Sequence, residues 1–193
     1  MATMRIIAGE FGGRTLKTTS APGYRPATSK VRQAVFSMLE SRGVYWPETR
    51  VLDLFAGSGA LTFEALSRGA EEGWFVEMNP KAAALIGENA ERLGIASQRY
   101  RVLADDMRNV VGKRAAEPFD LVFIDPPYGF NFLSPALSAV LRNGWLAEGG
   151  FVCAEVEAKL PLPPETEHPD LECIANRAYG QTRILLWTGT ESA

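Results

Sequence analysis

From Pro47 onward, short apolar runs alternate with longer stretches in which apolar residues recur every three or four positions, the signature of strands separated by helices. The apolar runs are Arg50 to Phe55, Gly73 to Glu77, Tyr100 to Ala104, Phe119 to Ile124, Gly150 to Val156, Leu171 to Ala178 and Thr182 to Trp187. Such alternation predicts an α/β fold built on a parallel sheet with crossover helices. Between the second and third runs, Ala83, Ile86, Ala90 and Leu93 share one helical face. Asn79 supplies the N-cap of that helix, Pro80 its first position and Gly94 its stop. Ser134 and Pro135 predict another helix start of the same kind, closed by Gly144. The last two runs are joined only by Tyr179-Gly180-Gln181, too short for a parallel crossover, so they are expected to pair antiparallel.

Residues 1–47 follow another pattern. Met4 to Ala8 and Arg14 to Thr18 flank Gly12-Gly13 and predict a hairpin, and a looser stretch runs from Ser20 to Pro26. From Thr28, Val31, Ala34, Val35, Met38 and Leu39 fall on one helical face, and Gly43 is the expected end. The expected organisation is therefore a hairpin-and-helix extension over 1–47 and a main domain over 48–193.

Charge adds to that division. The net charge is −3, but Met1 to Arg50 holds eight Lys/Arg against three acids, or +5, which leaves −8 for the remainder. A basic arm on an acidic body suits contact with a polyanion, and Arg5, Arg14, Arg25 and Arg32 are the candidate contacts. A solvated basic face would give the same count, so charge alone leaves the choice open.

No apolar run approaches the ~20 residues of a membrane span, and no apolar signal segment stands near the N-terminus, so a cytoplasmic protein is expected. The two cysteines, Cys153 and Cys173, form no CxxC pair, and the single histidine, His168, lies in the Pro-rich stretch Pro161 to Pro169. A zinc site or disulfide framework is not expected. Both cysteines read as small core hydrophobes within strands.

Two motifs carry chemistry. Asp53, Phe55, Ala56, Gly57, Ser58 and Gly59 turn the first run of the main domain into a helix through glycines that let a ligand approach the backbone closely. Thr62 stands where a dinucleotide fingerprint needs its third glycine, and no Gly-Lys-Ser/Thr follows for a P-loop. The next run ends in Glu77 and Met78, where a carboxylate can accept from both ribose hydroxyls of an adenosine. The third runs into Asp105, Asp106 and Met107, offering a carboxylate to an adenine amino group and an apolar side chain to its ring. Asp is also an ordinary turn residue, so these two acids stay open between the readings.

The second motif is Asp125-Pro126-Pro127-Tyr128, at the carboxyl end of the fourth run. Consecutive prolines fix the backbone and hold the neighbouring carboxylate and carbonyls in one geometry. An amine conjugated to a base ring is a poor nucleophile because its lone pair is delocalised. Hydrogen bonds from it to Asp125 and to the Pro126 carbonyl would draw it toward tetrahedral geometry and aim the lone pair at a methyl donor. Tyr128 can stack on a base turned out of its helix. Loop, acid and tetrapeptide in this order point to methyl transfer from S-adenosylmethionine, leaving S-adenosylhomocysteine, onto an exocyclic base amine.

Nearly the whole chain resembles the RsmD family, bacterial methyltransferases acting on the N2 amine of a guanine in small-subunit (16S) ribosomal RNA. Asp53-Leu-Phe-Ala-Gly-Ser-Gly59 and Asp125-Pro-Pro-Tyr128 are similar to that family's cofactor and catalytic motifs. Arg5-Ile-Ile-Ala-Gly9, Arg14, Arg25-Pro-Ala-Thr28, Val31-Arg32 and Phe36 are similar to its leader. The chain departs from the family pattern at Ala8, Gly13, Ser29, Lys30 and Gln33. The resemblance implies a Rossmann-like class I methyltransferase with a seven-stranded, mostly parallel sheet whose last strand is antiparallel. It also implies that the substrate RNA sits in an assembling small subunit.

Other readings compete. A DNA adenine-N6 methyltransferase would use the same tetrapeptide but normally carries a sizeable target-reading domain. A protein glutamine methyltransferase usually has Asn in place of Asp125, and a cytosine-C5 enzyme needs a cysteine nucleophile near the fourth strand. A nucleic-acid-binding module with a retained cofactor fold would have little use for Asp53, Glu77 and Asp125 together.

Overall fold

The computed structural model describes residues 2–18, 28–162 and 167–190. A hairpin of β1 (Ala2–Arg5) and β2 (Thr15–Thr18) precedes α1 (Ser29–Glu40). The main body then runs β3 (Arg50–Asp53), α2 (Ala60–Ser67), β4 (Glu72–Val76), α3 (Pro80–Leu93), β5 (Tyr100–Leu103), α4 (Met107–Val111), β6 (Phe119–Ile124) and α5 (Leu133–Arg142). It finishes with β7 (Leu146–Glu157), β8 (Leu171–Tyr179) and β9 (Thr182–Gly189).

These strands form a seven-stranded sheet in the order β5-β4-β3-β6-β7-β9-β8. Pairings from β5 across to β7 are parallel, and β9 runs antiparallel to both β7 and β8. The order reverses between β3 and β6, so a crevice opens above the carboxyl ends of those strands. Both faces of the sheet are covered, which is why the central strands β3 and β6 are apolar and buried along nearly their whole length. One face packs Val51, Phe75 and Phe123 with Phe36, Phe63 and Ile86 of α1, α2 and α3. The other packs Leu52, Val76 and Val122 with Leu137 and Val140 of α5.

Local signals explain most helix ends. Asn79 Oδ1 accepts from the N–H groups of Lys81 at 2.9 Å and Ala82 at 3.3 Å, and Gly94 closes α3 at φ 76°. Thr28 caps α1 by accepting from Val31 N–H. Helix α5 differs from expectation, since it begins at Leu133 behind Phe132, which makes no side-chain cap. The Ser134 hydroxyl instead bonds the Glu167 carboxylate across to the segment before β8. Cys153 is buried in β7 as read, whereas Cys173 is exposed, because a register irregularity in β8 between Cys173 and Ala175 breaks the alternation there.

The N-terminal hairpin is seated on the main body and shares its core. Ile6, Phe11 and Leu16 are buried in one cluster with Phe63 and Leu66. The fully buried Glu64 carboxylate accepts Ile7 N–H at 2.7 Å and Ala8 N–H at 3.0 Å, and it pairs with Arg68 at 2.9 Å. Gly9 has φ 79° and passes so close to the Ser67 carbonyl that a Cβ would lie 1.9 Å from that oxygen, so only glycine fits there. The expected turn at Gly12-Gly13 is thus part of a longer loop whose tightest constraint is Gly9.

Candidate active site

Strand β3 ends at Asp53, which is 1% exposed. Its carboxylate accepts Phe55 N–H at 3.3 Å and the Thr62 hydroxyl at 3.2 Å, bracing the turn from both sides. Burial still dominates and pushes its pKa up to about 7. Gly57 turns the chain at φ 55° and gives its N–H to Glu77 Oε2 at 2.7 Å, while Asn79 N–H goes to Glu77 Oε1 at 2.7 Å. The carboxylate at the end of β4 is thereby fixed by two backbone donors, and each oxygen keeps a lone pair for a further donor.

Over these strand ends lies a cleft of about 480 Å³. Phe55, Gly57, Glu77, Met78, Asp106 and Met107 line it on the β3 to β5 side, and Asp125, Pro126, Pro127 and Tyr128 line it on the β6 side. Two sets of residues, named from separate motifs, thus share one cavity. Asp106 also caps α4, accepting Arg108 N–H at 2.8 Å and pairing with the Arg108 guanidinium at 2.6 Å, which holds its pKa below the usual range. Asp105 is held low chiefly by the Asn109 side-chain amide at 2.8 Å. The turn role and the cleft-facing role of Asp106 therefore coexist.

Three residues of the glycine loop lie elsewhere. Ala56 is buried, with its N–H on the Val76 carbonyl at 2.9 Å. The buried Ser58 directs its hydroxyl at Met4 Sδ, 3.7 Å away in the hairpin. Gly59 begins α2 at φ 76°, and a Cβ on it would approach the Phe63 and Phe75 rings within 2.9 Å. The lack of a side chain at Gly59 serves core packing, and the cleft face of the loop is made by Phe55 and Gly57.

On the opposite wall, Tyr128 Oη bonds Thr182 Oγ1 at 2.6 Å and Gly129 N–H bonds Glu157 Oε1 at 2.6 Å, tying the tetrapeptide loop to β9 and β7. Burial raises the Tyr128 pKa, so it stays a neutral phenol. Burial, then Glu155, then Asp53 push the Asp125 carboxyl well above the usual carboxylate range.

Two features of the site escaped the sequence reading. Phe130 is 60% exposed at the cleft mouth and stacks on Phe132 at 5.6 Å, and Phe132 lies 5.8 Å from Phe55. This ladder of rings leads from the glycine loop to solvent, and the pair of phenylalanines just after the tetrapeptide was its signal. The other is Glu155, 7% exposed near the end of β7, whose only signal was an acid inside an apolar run.

The basic residues separate into classes. Arg5 and Arg14 are exposed, Arg14 giving one donor to the Arg92 carbonyl at 2.9 Å. Arg25 lies outside the described residues. Arg32 is 2% exposed, with Nη2 on the Arg5 carbonyl at 2.7 Å, so the interior of the fold holds a guanidinium that was expected on the arm's surface. It is buried on the face of α1 that also carries Val31, Val35 and Phe36. Among the described residues no group of His, Cys, Asp and Glu is placed to hold a metal ion, and no helix is long and apolar enough to cross a membrane.

Comparison with known proteins follows the same lines. The profile of a family described as conserved hypothetical protein 95 matches residues 4–188. Ribosomal RNA small subunit methyltransferase D of Haemophilus influenzae is 35% identical over 160 residues, covering 82% of this chain and 81% of that protein. The protein of the same name from Escherichia coli K12 is 34% identical over 160 residues, covering 83% and 78%. The solved structure of yhhF from Escherichia coli superposes with a TM-score of 0.84 at 29% identity, covering 99% of this chain and 100% of that one.

Proposed function

The chain belongs to the RsmD family of ribosomal RNA small subunit methyltransferases, and we propose that it methylates the N2 amine of a guanine in 16S ribosomal RNA from S-adenosylmethionine. The observation that carries this reading is the single cleft that joins Glu77 and the glycine loop to Asp125-Pro126-Pro127-Tyr128.

The residues present suit the cofactor. Glu77, pinned by two N–H donors, has lone pairs left for two ribose hydroxyls. Met78 and the buried Met107 border a slot for a flat ring, with the Asp106 carboxylate at its edge. A cleft of about 480 Å³ is of the size that small cofactors fill. Bound S-adenosylmethionine would supply an electrophilic methyl group on a sulfonium centre.

The chain's own groups then orient the target. Asp125 and the Pro126 carbonyl accept the two N–H bonds of the amine and turn its lone pair toward the cofactor. Tyr128, its hydroxyl held by Thr182, presents a ring face to the base. Arg5, Arg14 and Arg25 remain the proposed phosphate contacts, which position RNA without reading its sequence. Arg32 is too deeply placed to join them. We further propose an assembling small subunit as the substrate, and hence action in the cytoplasm.

Transfer of labelled methyl groups to protein-free 16S RNA and to partly assembled small subunits tests the reading. Label in a guanine of either RNA is expected, with more in the particle. Label confined to adenine of DNA would replace it.

A further inference from the structure

Asp125 lines the cleft, but its surroundings extend beneath it. Ile124 of β6 pairs with Ala154 of β7, so the next step of that ladder sets Asp125 beside Glu155. Two residues earlier, the paired Phe123 and Cys153 face the core shared with α1, and alternation turns Asp125 and Glu155 to the same face. Asp53 pairs with Phe123 and adds a third carboxylate there. Helix α1 crosses this face with the Phe36 ring 6.1 Å from Phe123, and Arg32 lies one helical turn before Phe36, toward the acids.

Exposure of 1% for Asp53, 7% for Glu155 and 2% for Arg32 means that these three groups are settled almost wholly without bulk water. Asp125, half-buried where it lines the cleft, stands against two deeply buried carboxyls, and three carboxylates so placed cannot all be ionised at neutral pH. Glu155 is raised to about 7 by burial, with Arg32 pulling it down, and the charge of Glu155 in turn raises Asp125. Among the described residues, Cys153 and Tyr128 also stand near this group, both raised chiefly by burial and both kept neutral, and Glu157 follows Glu155 on the same face of β7.

A protonated Asp125 would donate to the target amine where the reaction needs it to accept. We propose that Glu155 is a positioning residue whose charge sets the pH above which Asp125 meets the amine as an acceptor, and that Arg32 acts through Glu155 by holding it ionised. The inference rests on the amino-methylation reading and deepens it. As the amine lone pair forms the N–C bond, the S–C bond breaks with its electron pair left on sulfur. The amine then carries the positive charge and one proton too many. That proton passes to the Asp125 carboxylate, and the pair returns it to solvent when the product leaves.

Displacements in two variants test the pairing. In Glu155→Gln the repulsion on Asp125 disappears, so the acidic limb of the kcat profile should move to lower pH by about one unit. In Arg32→Gln the Glu155 carboxyl loses the cation that holds it ionised, so the limb should again move to lower pH, with Arg32→Lys restoring it. The same displacements should appear in the carboxyl carbon resonances of cofactor-free protein labelled at Asp and Glu, which are independent of turnover. Lower activity or stability with no displacement in either variant, in profile and resonances alike, would make Glu155 and Arg32 purely structural and overturn the proposal. Displaced resonances in a protein that transfers no methyl group to any RNA would instead refute the amino-methylation reading and leave the carboxyl pair standing.

Discussion

The Asn89 carboxamide pairs with both backbone groups of Lys17, accepting its N–H at 2.9 Å and donating to its carbonyl at 2.9 Å, as a neighbouring strand would. Asn89 is 1% exposed, so α3 spends an interior position on holding the N-terminal hairpin. The basic arm is therefore a structural part of the domain before it is anything else.

Replacing Asn89 by Ala would leave the N–H and carbonyl of Lys17 without that partner in a buried place. A loss of about 1–3 kcal/mol of folding stability is expected, the cost of leaving such groups unsatisfied. Urea denaturation checks it. An unchanged midpoint would mean that the hairpin is not docked as described.

Glu77→Ala should weaken S-adenosylmethionine binding by ~10-fold to 100-fold, since a charge-assisted hydrogen-bonding group contributes ~1.5–3 kcal/mol. Titration calorimetry on the folded variant measures it. The same substitution removes the acceptor of Gly57 N–H, so the loop should also exchange its amide protons faster.

The sheet was legible because its central strands are nearly continuous apolar runs and the final connection is too short for a crossover. Asp125 and Glu77 were legible because each closes such a run beside a recognisable turn. Arg32 was not, since charge counting treats every arginine as a surface group, and only the packing of α1 on the sheet shows this one turned inward. Glu155 was missed for a related reason. Its partners Asp125 and Arg32 come from distant segments, and no spacing in the chain records that they meet. The anchoring by Asn89, Glu64 and Ser67 was likewise invisible, because helix residues that look merely polar serve the backbone of another segment.

Asp53 makes stability depend on pH with a definite sign. Its pKa rises from an ordinary 3.8 to about 7 on folding, so between those values the folded chain holds a proton that the unfolded chain has lost. Its contribution is complete below the lower value and is lost as pH climbs through the upper one. Asp53→Asn should therefore gain stability relative to the parent as pH rises from about 4 to 8. Denaturation curves that keep a constant separation over that range would contradict the assignment.

Phe130→Ala should raise KM for RNA by ~10-fold while leaving cofactor affinity unchanged, because stacking on an aromatic ring contributes ~1–3 kcal/mol per base. Its ring is exposed and rests on Phe132, so little folding stability should be lost. A variant with unaltered KM would remove the ring ladder from the RNA path.

The central claim is that Asp125 serves methylation of a guanine amine in ribosomal RNA, and mass spectrometry of 16S nucleosides from a deletion strain tests it most directly. Deletion should remove one N2-methylguanosine per 16S molecule, the parent gene should restore it, and Asp125→Ala should not. The residual rate of that variant should be a few hundred-fold lower, from ~3–4 kcal/mol of lost stabilisation in the barrier. Unchanged N2-methylguanosine in the deletion strain, or full restoration by Asp125→Ala, would contradict the account.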